Sequence, residues 1–332
     1  VADSLAQAGF ATVAIDLPLH GLRVGNPFYQ VGKERTFDVD FVTEDGGNNT
    51  TANVPDATAD SSGKHYINLT NLLVTRDNVR QSVADLFALT AAIPSMDLDG
   101  GGADLDGSNI YFVGHSLGAM VGTTFLALES NVKDAVLAFG GAGYAKVLDG
   151  SAAFSPTIVA GLIAASSGAI DKTAVGAARA AYESFLGVAQ IALDTVDPAN
   201  YAEASVANRG MLFFEIVGDI ATGGTNLPDI VVPNKVKDTI DTTSTVSSPT
   251  AGTDPLINFM GLTQYNANQS GDNLHAAVKF TKGYHGSILN FDQANVSAGS
   301  PEIASKDVTI VLQSLMASFL ASDAALLDVT TA

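Results

Sequence analysis

Apolar residues gather in short unbroken runs, and stretches with helical spacing lie between them. ATVAID (11–16), NIYFVG (109–114), DAVLAFGG (134–141), MLFFEIVG (211–218) and HAAVKF (275–280) are short, rich in Val, Ile, Phe and Ala, and predict buried strands. RDNVRQSVADLFALTAAI (76–93) sets Val79, Val83, Leu86 and Leu89 on one stripe and predicts a helix. LGAMVGTTFLALE (117–129) predicts another, and PEIASKDVTIVLQSLMASFLA (301–321) a closing helix with Pro301 in its first turn. VADSLAQAG (1–9) reads as the end of an amphipathic helix closed by Gly9. Strands alternating with helices predict an α/β fold, a mostly parallel sheet flanked by helices.

Two stretches break the alternation. Residues 40–64 are rich in Gly, Asn, Thr, Asp and Ser and predict a surface excursion. Residues 144–208 are Ala-rich and helical, and predict a cap inserted over the sheet. The expected organisation is a catalytic domain of residues 1–143 and 209–332, interrupted by a helical cap, or lid, at 144–208. No repeat occurs at solenoid periods.

Composition narrows the function. The chain has 35 acidic and 16 basic side chains, a net charge of -19, and lacks the basic face that nucleic acid requires. There is no cysteine, which excludes disulfides, thiolate catalysis and Cys-bound zinc. No apolar run reaches the roughly 18 residues of a membrane span. The chain opens at Val1 inside a helix, so an upstream segment is expected.

Gly114-His115-Ser116-Leu117-Gly118 is G-x-S-x-G between a predicted strand and a predicted helix, the setting in which a serine hydroxyl is lifted above a sheet as a nucleophile. Side chains at Gly114 and Gly118 are expected to strike the strand or helix. The Leu117 N–H, at the positive helix end, is an expected oxyanion donor. His115 reads as a packing or orienting residue. A serine hydroxyl needs a general base. In the chain order Ser–acid–His, His275 and His285 remain, and His285, in KGYHGSIL just past the last strand, is the expected base. The acid belongs after strand 211–217. Asp229, in PDIVVPN, is preferred because the apolar run behind it anchors a loop, and Asp219 is the alternative. Such a site needs neither cofactor nor metal.

The chain resembles extracellular bacterial lipases and surface lysophospholipases of the α/β-hydrolase superfamily. The resemblance rests on VAIDLPLHG (13–21), NLLVTRDNVRQSVADL (71–86), DGSNIYFVGHSLG (106–118), AQIALDTVDPANYA (189–202), DIVVPN (229–234), GTDPLINFMGL (252–262) and YHGSIL (284–289). It implies the α/β-hydrolase fold with its first strands missing, a secreted or cell-surface location, and an acid in a GDxVxPN-like segment, which extra residues split here. It also implies a second oxyanion donor upstream of Val1 and a strand missing between 11–16 and 109–114. On that basis the 332-residue chain alone is expected to be inactive or poorly stable.

The function these readings imply is hydrolysis of acyl esters through Ser116, His285 and Asp229, as a lipase or esterase. Lysophospholipase, thioesterase and peptidase activities are alternatives on the same scaffold, and a non-catalytic surface binding protein is the alternative of another class. The cap stripe of Ile158, Leu162, Ile163, Ile170, Phe185, Val188 and Ile191 suits an acyl chain or transient contact with a lipid surface. No obligate protein partner is implied. Asp97, Asp99, Asp104 and Asp106 in a Gly-rich loop read as a solvated acidic turn, with calcium the alternative, although the spacing is not that of an EF-hand. Asp194 and Asp197 read as turn residues.

Overall fold

The computed structural model of the protein describes residues 1–23, 25–45, 48–52, 54–239, 245–293 and 302–329. The chain forms two compact units, Val1–Thr12 with Asp85–Ala332, and Val13–Ala84.

The smaller unit holds one antiparallel hairpin, β1 (Val42–Asp45) with β2 (Asn48–Ala52), and long irregular connections. Helix α2 (Leu72–Ala92) begins in it and ends in the larger unit. Residues 11–16 are not a strand, contrary to the sequence pattern. No described strand lies beside them to take up their backbone groups, Val13 is exposed, and the Asp16 carbonyl accepts a hydrogen bond from Arg35 Nη1 (2.8 Å) instead. Apolar content alone cannot hold a strand that has no ladder to join.

The larger unit is built on a five-stranded parallel sheet. Its strands are β3 (Ile110–His115), β4 (Val132–Ala138), β5 (Met211–Ile216), β8 (Thr263–Gln264) and β10 (His275–Phe280). Their spatial order is β3-β4-β5-β10-β8, with every neighbouring pair parallel. All six residues of β5 are buried, as expected of a central strand covered on both faces. On one face Leu212, Phe214 and Ile216 meet Ala276 and Val278 of β10 and the closing helix α9 (Lys306–Ala321), through Leu312, Leu315, Met316 and Phe319. Helix α1 (Ala2–Gln7) adds Leu5 to this core. The alternate residues Met211, Phe213 and Ala277 are just as buried, so the other face is covered too.

Helix α9 starts later than its sequence suggested. Ser305 is its N-cap and accepts from the Val308 N–H, while Pro301 lies outside the described residues. Two short antiparallel pairs complete the sheets: β6 (Val236–Thr239) with β7 (Thr245–Ser248), and β9 (Gln269–Ser270) with β11 (Leu326–Leu327).

Helix α3 (Leu117–Leu128) follows β3 and is buried over most of its length. Residues 144–208 are helical as their composition foretold: α4 (Tyr144–Gly150), α5 (Ser155–Ala165), α6 (Ala177–Leu193) and α7 (Ala202–Ser205). Helix α6 buries Tyr182, Leu186, Ala189 and Leu193, one position off the expected stripe, and leaves Val188 and Ile191 facing water. Asp197 is fully buried, and its carboxylate does more than cap a turn. It accepts from the N–H groups of Gly143 (2.9 Å), Tyr144 (2.8 Å) and Ala199 (3.0 Å) and from Gln190 Nε2 (2.8 Å). The start of the helical excursion and the turn after α6 therefore meet at one side chain. Helix α8 (Thr253–Phe259) completes the larger unit.

Candidate active site

Ser116 sits between β3 and α3 with φ 54° and ψ −121°, a left-handed backbone that a residue with a Cβ adopts only under constraint. Its N–H donates to the Ala138 carbonyl (2.8 Å), tying the turn to the end of β4. Its carbonyl accepts from Ala119 (2.9 Å) and Met120 (3.1 Å) as the helix opens. Helix geometry leaves the N–H groups of Leu117 and Gly118 without an intrahelical acceptor, so they form the donor end of α3 beside the serine.

The steric reason for the two glycines holds at only one of them. A Cβ at Gly114 would lie 2.6 Å from the Gly118 carbonyl oxygen and 2.9 Å from the Phe112 ring, whereas a Cβ at Gly118 would meet open space. The second close approach falls at Gly122, where a Cβ would lie 2.4 Å from Phe112.

His285 lies beyond β10, in the loop that Tyr284 and Ser287 close by backbone and hydroxyl hydrogen bonds. Its Nδ1 donates to Asp229 Oδ2 at 2.6 Å. The other oxygen of Asp229 accepts from the N–H groups of Val231 (2.8 Å) and Val232 (3.1 Å). The carboxylate is thus buried, satisfied by a turn of its own chain and aimed at the imidazole. The Nε2 atom of His285 is buried and has no hydrogen-bond partner, and the Ser116 hydroxyl does not bond to it. A buried ring nitrogen without a protein partner is uncommon in a folded protein.

The two candidate acids separate cleanly. Asp219 accepts from the Asn226 N–H (2.7 Å) and from Asn226 Nδ2 (2.5 Å), closing the loop 219–226. Gly218, at φ +64°, permits the chain to fold back there: a Cβ would lie 2.5 Å from the Asn226 carbonyl oxygen. The detour returns Asp229 to the strand end, where its N–H donates to the Ile216 carbonyl (3.1 Å). The extra residues that split the acid segment thus bulge out and leave Asp229 directly behind β5.

Two contacts were not foreseen, although His115 was expected to pack or orient. The Nε2–H of His115 donates to the His285 backbone carbonyl (2.7 Å), and the two rings lie 4.9 Å apart. Burial, then the neighbouring His285, pushes His115 down to about 4, so it is neutral near pH 7. Farther along the sheet, Glu215 of β5 and Lys279 of β10 are register partners and form an ion pair (2.8 Å), and Lys279 also binds Asp254 of α8. Burial pushes the Glu215 carboxyl up to about 7. Charged residues in matching places within otherwise apolar strands, MLFFEI and HAAVKF, were the visible sign of this pair.

His275, at the start of β10, donates its Nε2–H to the Arg209 carbonyl (2.9 Å). Ligand oxygens of Asp97, Asp99 and Asp104 lie within 4.8 Å of one another and are exposed. These carboxylates accept N–H groups of their own loop, from Gly100, Gly101 and Leu98.

No family model matches the chain, and no curated protein matches it. A solved structure described as "The structure of DcsB complex with its substrate analogue" is similar to it at 14% identity with a TM-score of 0.34. The alignment covers 80% of this chain and 76% of that one. At that TM-score the likeness carries no argument about fold or activity, and the chemistry rests on the side chains described above.

Proposed function

We propose that the protein is a serine carboxylic-ester hydrolase of the α/β-hydrolase type. The observation that carries this reading is His285. Its Nδ1 is held by a buried carboxylate, its Nε2 is buried and unbonded, and its loop is fastened to the residue beside a serine of strained backbone.

In the reaction, Ser116 Oγ attacks the ester carbonyl while its proton passes to His285 Nε2. The oxyanion takes hydrogen bonds from the Leu117 N–H and a further donor. Collapse expels the alcohol, which receives the proton from His285. Water then attacks the acyl-enzyme and gives up a proton to His285; collapse breaks the bond from the acyl carbon to Ser116 Oγ, His285 returns the proton to Oγ, and the carboxylic acid leaves. Asp229 keeps the imidazole proton on Nδ1 and stabilises the imidazolium when it forms.

The apolar surface of the helical region favours an acyl chain over a polar substrate. Phe154, Val175, Val188 and Ile191 are all exposed there. Lipid esters at a cell surface or outside the cell are the substrates we infer.

An active-site serine probe of the fluorophosphonate class, applied to the full-length protein, tests the reading. The wild type is expected to label and to hydrolyse acyl esters. Ser116→Ala is expected to lose labelling and to drop kcat by on the order of 10⁴-fold or more with its melting curve retained. A folded wild-type protein that takes no label supports a non-catalytic binding protein instead.

A further inference from the structure

We propose that His115 is a positioning residue for the His285 base, acting by donating its Nε2–H to the His285 backbone carbonyl. The inference rests on the serine-hydrolase reading for its consequence in catalysis, but the contact itself is independent of it.

The base is held at two points that belong to different parts of the fold. Its Nδ1 is fixed by Asp229, in the loop behind β5. Its carbonyl is fixed by His115, the last residue of β3 and the chain neighbour of Ser116. A carbonyl can only accept, so His115 carries its proton on Nε2. Its low basicity keeps it in that neutral form, so no second positive charge faces His285 when the base takes up a proton. Phe139 packs edge-on against His115, with centroids 5.8 Å apart, and lies 6.0 Å from His285, which limits both rings to their present tilt. With the carbonyl and Nδ1 both held, the ring presents Nε2 in one direction. Without the carbonyl anchor the loop stays closed by Tyr284 and Ser287 and tied to α9 through Gln313 Nε2 and the Ile288 carbonyl (2.8 Å), but His285 itself keeps only Asp229 and the long 3.4 Å contact from its N–H to Glu302 Oε1.

Three variants isolate the N–H from the bulk that carries it. Gln at position 115 offers a donor near the place of Nε2, Met has the same reach without one, and Leu fills the space beside Phe139 without one. Two readouts are needed: the rate of fluorophosphonate labelling together with kcat and KM, and the low-field imidazole proton of His285 Nδ1. NMR of the ¹⁵N-histidine protein reports that proton, which is assigned by its loss in His285→Gln. His115→Met and His115→Leu are expected to slow labelling and kcat by about 10- to 100-fold with KM little changed, because a base displaced by a fraction of an ångström loses its line of proton transfer. Both are expected to lose the low-field proton to exchange, while His115→Gln retains it and most of the rate.

The proposal is overturned if the Met or Leu variant, folded, keeps both signals. It is equally overturned if Gln is as impaired as they are, since packing of the ring would then be the cause. A wild type that takes no label while the low-field proton still follows the Gln–Met pattern would reject the serine-hydrolase reading and leave the positioning contact standing.

Discussion

Within the candidate site, Asp229 is the side chain whose hydrogen bonds each have a clear direction. Asp229 spends one oxygen on its own backbone turn and the other on His285. Asp219 spends both on Asn226. Substituting each by Asn therefore separates them. Asp229→Asn is expected to lower kcat by on the order of 10⁴-fold, because an amide there permits the wrong imidazole tautomer. Asp219→Asn should leave the rate alone and cost about 0.5–2 kcal/mol of stability as its loop closure weakens. Rates on a chromogenic acyl ester, read beside urea melts, check both. The strained turn at Ser116 and the Asp229–His285 contact were legible in the sequence because motif spacing and chain order constrain them. The His115 contact was not, since a hydrogen bond to a backbone carbonyl 170 residues away leaves no mark on local composition.

Among the elements, strands β3, β4, β5 and β10 and helices α2, α3 and α9 followed from hydrophobic periodicity. Failures came where an element depends on a partner. Residues 11–16 have the composition of a strand but no ladder, and β8, two residues long and exposed, exists only because β10 offers an edge. The expected stripe of helix α6, through Phe185, Val188 and Ile191, lies beside the buried face of Tyr182, Leu186, Ala189 and Leu193. The glycines of the serine turn give an element-scale test. Gly114→Ala forces a Cβ into the Gly118 backbone and is expected to cost about 1–3 kcal/mol. Gly118→Ala meets open space and is expected to stay within about 0.5 kcal/mol. Chemical denaturation of the two variants beside wild type checks the difference, and a cost at Gly118 as large as at Gly114 would refute the packing described.

For the whole molecule, acidity matters more inside than its net charge suggests. Glu215 is buried between strands, its partner Lys279 is shared with Asp254, and Asp254 also receives Lys235 (3.2 Å). Hydrogen bonds from Lys279 and Lys235 hold Asp254 below its ordinary range despite its burial, so Asp254 is the ionised partner and Glu215 the reluctant one. A carboxyl whose basicity rises on folding binds a proton in the native state that the unfolded chain has already released. Stability is then lost as pH rises from the ordinary glutamate value of 4.5 through about 7. Glu215→Gln is expected to flatten that part of the profile, and urea titrations at pH 5 and pH 7.5 measure it. An unchanged slope in the variant would show that other groups set it.

Asp197 has a consequence for how this molecule can change. Both ends of the span from Gly143 to Ala199 are gathered at its carboxylate, so the distance that the span must bridge is the same whatever its length. Closing a longer or shorter path between fixed ends changes its entropy only slowly. That span is therefore open to exchange: a different set of helices can be grafted between those two points while the parallel sheet and the Asp229–His285 pair stay as they are.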